Sequence, residues 1–188
     1  MTKAEPSDET LMGQVRRGRR EELEPLVRRY ARPLLTYLER MVGDRHRAEE
    51  LFQDAFLAVW EKRRTYRFPQ PFRPWLFAIA TNRCRAAFRR ARGPEAASLP
   101  QAMCDGPAAT DVSPPDAAVA TETARLVTAA VARLPDQQRT VIVLRTWNGL
   151  SFAEIAQSLG VGEATVRSHM HHALTALRRF LEPRMKPE

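Results

Sequence analysis

A run of polar side chains near the C-terminus has the types and the spacing needed to read DNA. At about 100° per residue along a helix, Thr165, Ser168 and His172 point in one direction. Short hydroxyl, imidazole and guanidinium groups in the first half of a helix suit base edges and phosphates in a major groove. A solvated polar face is the alternative interpretation. The residues that flank this face are also mostly polar or basic: Arg167, His169, His171 and Thr175.

The same histidines could in principle hold a metal, since His169 and His172 lie one turn apart. No cysteine or carboxylate completes a ligand set there, so DNA contact is the favoured interpretation. Cys84 and Cys104 have no metal-like spacing and are interpreted as two free thiols rather than a redox-sensing pair. The chain has no Gly-rich phosphate loop ending in Lys-Ser/Thr and no nucleophile elbow. We expect no cofactor, no metal and no enzymatic activity.

The segment that carries these side chains predicts a helix-turn-helix. Ser151 and Glu154 form a capping-box pattern that starts a helix, and Gly160 supplies the left-handed residue that ends it after Leu159. Ala156, Gly160 and Val166 are the small, turn-forming and apolar residues that such a motif needs. Any tight helical hairpin is the alternative. A second helix is predicted over 163–180, with one apolar face formed by Val166, Met170, Leu174, Leu177 and Leu181.

Helical periodicity also dominates the N-terminal half. Apolar residues recur every three or four positions between Leu23 and Leu38, and a second helix is predicted from Ala48 to Arg63. A third helix begins near Phe72 and ends near Arg92, after a loop at residues 68–71 (FPQP) in which two prolines disfavour helix. No convincing strand is present. The predicted fold is all-α, with two small helical domains.

Composition places the boundary between these domains. Residues 93–115 carry five prolines and two glycines and lack apolar periodicity, which predicts a flexible linker at 93–119 between domains at 8–92 and 120–182. The net charge is +8, and residues 1–93 hold 21 basic and 12 acidic side chains, an excess of +9. Such a basic half favours a polyanionic partner such as nucleic acid. No apolar run could span a bilayer and the N-terminus lacks a secretory signal, so a cytoplasmic location is expected.

Both halves resemble the two domains of the extracytoplasmic-function (ECF) sigma factors, members of the sigma-70 family that direct bacterial RNA polymerase to promoters. The resemblance covers nearly the whole chain outside the linker and the ends. AEELFQDAFLAVW (residues 48–60) is similar to the family's polymerase-clamp helix. By position, the resemblance implies contact with the coiled coil of the polymerase β′ subunit for four residues: Glu49, Glu50, Gln53 and Asp54. Taken alone, this segment would be an ordinary amphipathic helix with a solvated acidic face.

FRPWLFAIATNRCRAAFRRAR (residues 72–92) is similar to the family's segment for promoter melting and −10 recognition. The resemblance places Asn82 where the family binds a base flipped from the −10 element, with Arg85 nearby. Trp75 is the aromatic expected to support this surface, although core packing is the alternative that its helical spacing favours. The arginine run could also be a merely solvated basic face. The residues implied in phosphate contact within the −10 site are Arg83, Arg89, Arg90 and Arg92.

Residues 134–169, LPDQQRTVIVLRTWNGLSFAEIAQSLGVGEATVRSH, closely resemble the family's −35 recognition domain. The resemblance assigns −35 contacts to Arg167, Ser168 and His172, with His169 adjoining them, and Thr165 joins the site from the helical geometry. The family usually carries arginine where this chain has His169 and His172. Protonated histidines would gain phosphate partners, so −35 binding is expected to strengthen as pH falls from about 8 to 6.

The resemblance implies a sigma factor that binds core RNA polymerase through the β′ clamp and the β flap and recognises −10 and −35 promoter DNA. An anti-sigma factor is an expected further partner, and membrane insertion is not expected. A free-standing helix-turn-helix repressor or activator would explain the C-terminal half but not the acidic and arginine-rich helices before it. An adaptor that mimics a sigma factor to sequester an anti-sigma protein need not keep Asn82, Arg85 and Arg167, which this chain has.

Overall fold

The computed structural model describes residues 5–92 and 118–185, and this part of the chain contains helices and no strand. The predicted all-α fold is confirmed. Residues 93–117, which include Cys104 and most of the predicted linker, lie outside the described residues. No helix in the described ranges is long and apolar enough to cross a membrane. The helices are α1 (Asp8–Arg16), α2 (Leu23–Val42), α3 (Arg45–Glu61), α4 (Phe72–Arg92), α5 (Ala118–Ala132), α6 (Asp136–Thr146), α7 (Phe152–Leu159) and α8 (Glu163–Met185).

Helices α1 to α4 form a bundle around a shared apolar core. Tyr37 of α2 meets Phe77 of α4 edge to face, with ring centroids 5.5 Å apart, and its hydroxyl lies 2.8 Å from that of Thr81. Complete burial raises the pKa of Tyr37 well above its ordinary value, so the phenol stays neutral. The buried hydroxyl pair has both partners satisfied, and it fixes α4 against α2 one residue before Asn82.

Helix α1, which the periodicity did not predict, holds the start of α4 in place. The Glu9 carboxylate accepts the backbone N–H of Phe72 at 3.2 Å, which satisfies an orphan donor at the first turn of α4. Asp8 accepts hydrogen bonds from the Tyr30 hydroxyl at 2.6 Å and from Arg29 at 2.7 Å. These contacts tie α1 to both α2 and α4. Two other boundaries also differ from prediction: α3 starts at Arg45 rather than Ala48 and ends at Glu61 rather than Arg63.

The earlier start of α3 has a capping explanation. Asp44 accepts the backbone N–H of Arg47 at 2.6 Å and is the N-cap of the helix. An Asp cap needs no apolar residue in the first turn, so a pattern of apolar spacing begins too late to find it. The predicted loop at residues 68–71 is confirmed, since no helix covers it.

The C-terminal half contains the predicted helix-turn-helix. The Ser151 side chain accepts the Glu154 N–H at 3.1 Å, and the Glu154 carboxylate accepts the Ser151 N–H at 2.7 Å, which completes the capping box. Burial alone would raise the pKa of Glu154, but the hydrogen bonds from Ser151 outweigh it and the pKa is lowered. Gly160 has φ 67°, the left-handed conformation expected at the end of α7.

The apolar face predicted for α8 is wrong in one respect. Val166 and Ala173 are buried, whereas Leu174 is 51% exposed. Eight residues advance a helix by about 80° beyond two full turns, which turns Leu174 away from the face that Val166 buries. The helix also continues to Met185 instead of ending at Phe180.

The two halves pack directly against each other, which the sequence did not predict. Helix α6 lies on α2 and helix α7 lies on α4. The Arg139 side chain, 1% exposed, donates to the Leu134 carbonyl at 3.0 Å and also to the Ala132 carbonyl in its own half. Its other terminal nitrogen donates to the Met41 carbonyl in the N-terminal half at 2.9 Å. A buried guanidinium therefore joins the last turn of α2 to the junction of α5 and α6.

Polar side chains of the C-terminal half bind other helix carbonyls across the same interface. Asn148 donates to the Pro33 carbonyl at 2.7 Å, and the Ser158 hydroxyl donates to the Pro74 carbonyl at 3.0 Å. The Cys84 thiol is fully buried near Asp136, and burial raises its pKa to about 12. The predicted free thiol is confirmed for Cys84, and it stays protonated while the halves are packed.

Candidate nucleic-acid interface

The structure brings the predicted −35 residues together on the outer surface of α8. Thr165, Arg167, Ser168 and His172 are exposed, and His169 is half-buried beside them. Burial, together with the nearby charge of His172, lowers the pKa of His169. The imidazole of His169 is therefore neutral at neutral pH in the free protein. One face of α8 thus offers hydroxyl, guanidinium and imidazole groups to a partner.

The guanidinium of Arg167 has an aromatic and an acidic neighbour on this surface. It lies 4.6 Å from the centroid of the Phe152 ring and forms an ion pair of 3.1 Å with Glu163, one turn earlier. The guanidinium of Arg145 lies 5.0 Å from the same centroid and donates to the Leu150 carbonyl at 3.0 Å. The sequence interpretation missed Phe152 and Arg145. An aromatic directly after the N-cap was visible in the sequence, but its contact with arginines from two other helices was not.

The predicted −10 residues lie along α4, and most of them face solvent. Asn82, Arg89 and Arg90 are exposed, and Arg83 and Arg85 are half-buried. Arg83 also forms an ion pair of 3.8 Å with Glu61 of α3. Asn82 and Arg89 are seven residues apart and therefore share one side of the helix. This surface combines an amide with several cations, as a groove for single-stranded DNA requires.

Trp75 lies seven residues before Asn82, on the same side of α4, and packs partly against the core. Its ring is half-buried, with centroids 5.2 Å from Tyr66 and 6.1 Å from Phe72. Burial, followed by the nearby charges of Glu9 and Asp8, raises the pKa of Tyr66 to about 12. Core packing accounts for these ring contacts, and the half-buried ring of Trp75 stays a predicted part of the −10 surface. An aromatic outside the predicted site is more accessible: Phe68, in the loop before α4, is 56% exposed.

The predicted clamp residues lie on one side of α3. Glu49, Glu50 and Gln53 are exposed and Asp54 is half-buried. Glu49 pairs with Arg45 at 3.1 Å, and Glu50 pairs with Arg47. These are exposed pairs within one helix, which contribute little to stability and exchange easily for a partner's cations. Leu57 on the same helix is 59% exposed, so an apolar side chain is also available to a partner.

Comparison with known proteins decides the family. A model described as Sigma-70 region 2 matches residues 26–93, and one described as Sigma-70, region 4 matches residues 124–177. The ECF RNA polymerase sigma factor SigW of Bacillus subtilis (strain 168) is 30% identical over 179 residues, which cover 89% of this chain and 93% of that protein. The chain belongs to the ECF sigma factors. SigL of Mycobacterium tuberculosis (strain H37Rv) is 32% identical over 166 residues, covering 85% of this chain and 89% of that protein.

Two solved structures are similar to this chain in fold. CnrH in complex with the cytosolic domain of CnrY is 26% identical and has a TM-score of 0.71, with 95% of this chain and 99% of that chain covered. The sigma factor RpoE from Bartonella quintana, in complex with the anti-sigma factor NepR, has a TM-score of 0.69 at 21% identity, which supports the fold. The match with RpoE covers 86% of this chain and 98% of the RpoE chain.

Membership in the family fixes the class of function. A sigma factor binds core RNA polymerase and directs promoter-specific initiation of transcription, and it is not an enzyme. The region 2 match also sets aside the free-standing helix-turn-helix repressor, because such a protein has no use for the first half of this chain. The resemblance inferred from the sequence motifs is thereby confirmed.

Proposed function

We propose that the two halves of this sigma factor, residues 8–92 and 120–182, divide promoter recognition between them. The first half holds polymerase through Glu49, Glu50, Gln53 and Asp54 of α3. It captures −10 DNA on α4, where Asn82 takes a flipped base and Arg83, Arg85, Arg89 and Arg90 hold the backbone. The second half reads −35 duplex with Thr165, Arg167, Ser168, His169 and His172 of α8. The observation that carries the proposal is that most of the DNA-reading groups are exposed, and that they lie on two separate helices.

Promoter binding on this scheme requires the two halves to separate. The −10 and −35 elements lie about 25 base pairs apart, or roughly 85 Å of duplex at about 3.4 Å per base pair. A packed chain of 188 residues has a radius of gyration near 16 Å, so it is only about 40 Å across. The packed arrangement cannot place α4 and α8 on both elements at once. It is a closed state that polymerase must open.

The chain has enough residues between its halves to allow this. Helix α4 ends at Arg92 and α5 begins at Ala118, which leaves 25 residues between them. At a maximum of about 3.5 Å per residue, that number can bridge nearly 90 Å. Opening would expose Arg139, Asn148 and Ser158, whose donors now bind carbonyls of the first half. Water can replace each of these hydrogen bonds, so the cost of opening is set mainly by the apolar surface that the two halves share.

The closed state also suggests how the protein is regulated. The related CnrH was solved with the cytosolic domain of CnrY, and the Bartonella sigma factor was solved with an anti-sigma factor. An anti-sigma factor that binds this chain across both halves would stabilise the closed state by mass action. A location in the cytoplasm follows from the partners, because polymerase and promoter DNA are there.

Replacing Asn82 with alanine tests the −10 assignment. With the holoenzyme on a cognate promoter, we expect Asn82→Ala to lower the yield of open complex roughly five- to fiftyfold, because the flipped base loses its amide partner. Permanganate reactivity of −10 thymines measures the open strand. On a promoter in which an abasic site replaces the captured base, wild type and variant should give the same yield of open complex. Equal opening on the intact promoter would overturn the assignment.

A change of pH tests the two histidines. In the free protein the pKa of His169 is lowered, and a DNA phosphate would raise it, so binding takes up protons. Holoenzyme affinity for the −35 element should therefore rise roughly three- to tenfold as pH falls from about 8 to 6. The measured quantity is the affinity ratio between promoters with an intact and a scrambled −35 element. The double variant His169→Gln, His172→Gln should give a flat ratio, and a flat wild-type ratio would contradict the assignment.

A further inference from the structure

One aromatic ring on α7 contacts arginines from the helices on either side of it in sequence. The Phe152 ring centroid lies 4.6 Å from the Arg167 guanidinium carbon and 5.0 Å from that of Arg145. Both distances lie within the range in which a ring face attracts a cation. Phe152 is half-buried against the core, so the ring itself has a fixed place. Its position is set further by the capping box at Ser151, which starts α7 one residue earlier.

Arg167 gains a second anchor from its own helix. Glu163 lies one turn earlier on α8, and its carboxylate accepts from the guanidinium at 3.1 Å. The ring and the carboxylate each bias the direction of the guanidinium only weakly, because the side chain is 61% exposed and an exposed ion pair within one helix contributes little. An arginine whose direction is already biased while it is open to solvent loses less rotamer entropy when it meets DNA. Such a side chain suits a contact that depends on direction more than on charge alone.

Guanine is the base that fits such an arginine. In the major groove its O6 and N7 atoms accept two parallel hydrogen bonds from one guanidinium, and this bidentate contact fails when the group is turned away. A phosphate contact tolerates many orientations, since it depends mainly on charge. The restraint on Arg167 is therefore of use for reading a base.

We propose that Phe152 is a positioning residue that holds Arg167 in the orientation needed to read a guanine in the −35 element. The inference rests on the proposed −35 role of α8. Phe152 itself need not touch DNA, because its effect passes through the guanidinium that lies on its ring. The ring supplies the direction and Arg167 supplies the hydrogen bonds.

The test measures base preference with the full-length chain in holoenzyme on a library of promoters randomised in the −35 element. Arg167→Ala should lower the preference for guanine at one position roughly five- to hundredfold. Phe152→Leu keeps an apolar side chain against the core but removes the ring face. It should lower the preference at the same position roughly two- to fivefold. Phe152→Tyr restores the face and should restore the preference.

The double variant separates positioning from a general structural effect. If Phe152 acts through Arg167, adding Phe152→Leu to Arg167→Ala should cause no further loss of guanine preference. Thermal unfolding of each variant checks that the domain remains folded. An additive loss in the double variant, or a failure of tyrosine to rescue, would overturn the proposal.

The outcomes also separate this inference from the proposed function. If Arg167→Ala leaves every −35 preference unchanged, the −35 assignment of Arg167 fails and the role of Phe152 fails with it. If Arg167→Ala removes the guanine preference and Phe152→Leu does not change it, the −35 assignment stands. In that case the role of Phe152 alone is wrong.

Discussion

Joining the two halves covalently is expected to abolish promoter-dependent transcription, and reduction is expected to restore it. The side chains of Met41 and Thr140 touch across the interface, with the sulfur and the hydroxyl oxygen 3.9 Å apart. Cysteines at these two positions form a disulfide that keeps α2 on α6, provided that their Cβ atoms lie within about 4.5 Å of each other. A molecule locked in this way cannot reach the −10 and −35 elements together, because the closed state is only about half as long as their separation.

The experiment uses a background that carries Cys84→Ala and Cys104→Ser, so that the two new cysteines have no competing thiol. The cross-linked fraction is read on a non-reducing gel, and run-off transcription with core polymerase is measured before and after reduction. Activity should fall in proportion to the cross-linked fraction. The Met41→Cys single variant in the same background should respond to neither oxidation nor reduction. Full activity of the cross-linked protein would show that the halves need not separate.

Reversing charge on the clamp surface is expected to remove polymerase binding. The double variant Glu50→Lys, Asp54→Lys replaces two carboxylates, which are proposed to contact the β′ coiled coil, with two positively charged ammonium groups. Like charges across an interface cost several kcal/mol, so the affinity for core polymerase should fall at least about hundredfold. The change should not unfold α3, since Glu50 is exposed. The pairs that it loses, with Arg47 and His46, are exposed pairs within one helix and contribute little to stability. Core binding is measured by fluorescence anisotropy at fixed ionic strength.

A matched control comes from another exposed acidic surface of the same half. Glu21 and Glu24 are exposed near the start of α2, and Glu24 pairs with Arg28 at 2.6 Å in the same kind of intrahelical pair. The variant Glu21→Lys, Glu24→Lys makes the same change in net charge. It should bind core polymerase nearly as well as wild type does. If both double variants weaken binding equally, the effect is one of net charge and α3 is not the contact.

Local features of the sequence were sufficient to predict the helix-turn-helix. Ser151 and Glu154 lie three residues apart, and the side chain of each accepts the backbone N–H of the other. Gly160 ends α7 through a conformation that depends on one residue alone. Elements determined within a single turn of chain can be predicted because no distant contact is needed to form them.

The packing of the two halves could not be predicted in this way. Arg139 and Met41 are 98 residues apart in sequence, yet a hydrogen bond joins them. The acceptor is a backbone carbonyl, which every residue carries and which leaves no mark in the sequence. Arg139 at the start of α6 could equally have been a solvated cation, since its burial depends on a surface supplied by another helix. The contacts of Arg167 with Phe152 escaped prediction for the same reason.

The exposed faces fall between these two cases. Helical spacing placed Thr165, Ser168 and His172 on one side of α8, and the structure shows all three exposed. The same reasoning placed Leu174 on one apolar face with Val166, and the structure shows Val166 buried but Leu174 exposed. Two successive steps of four residues, from Val166 to Leu174, turn the side chain away from the buried face of α8. The width of that face depends on the helices that pack against α8.

The proposed function of this protein depends on one activity, the conversion of core polymerase into an enzyme that opens a chosen promoter. The direct measurement is run-off transcription with the purified chain and purified core polymerase on a promoter library. We predict that transcripts require both components and that they select templates with a common −10 and a common −35 element. A chain that neither associates with core polymerase nor changes which templates are transcribed would contradict the account.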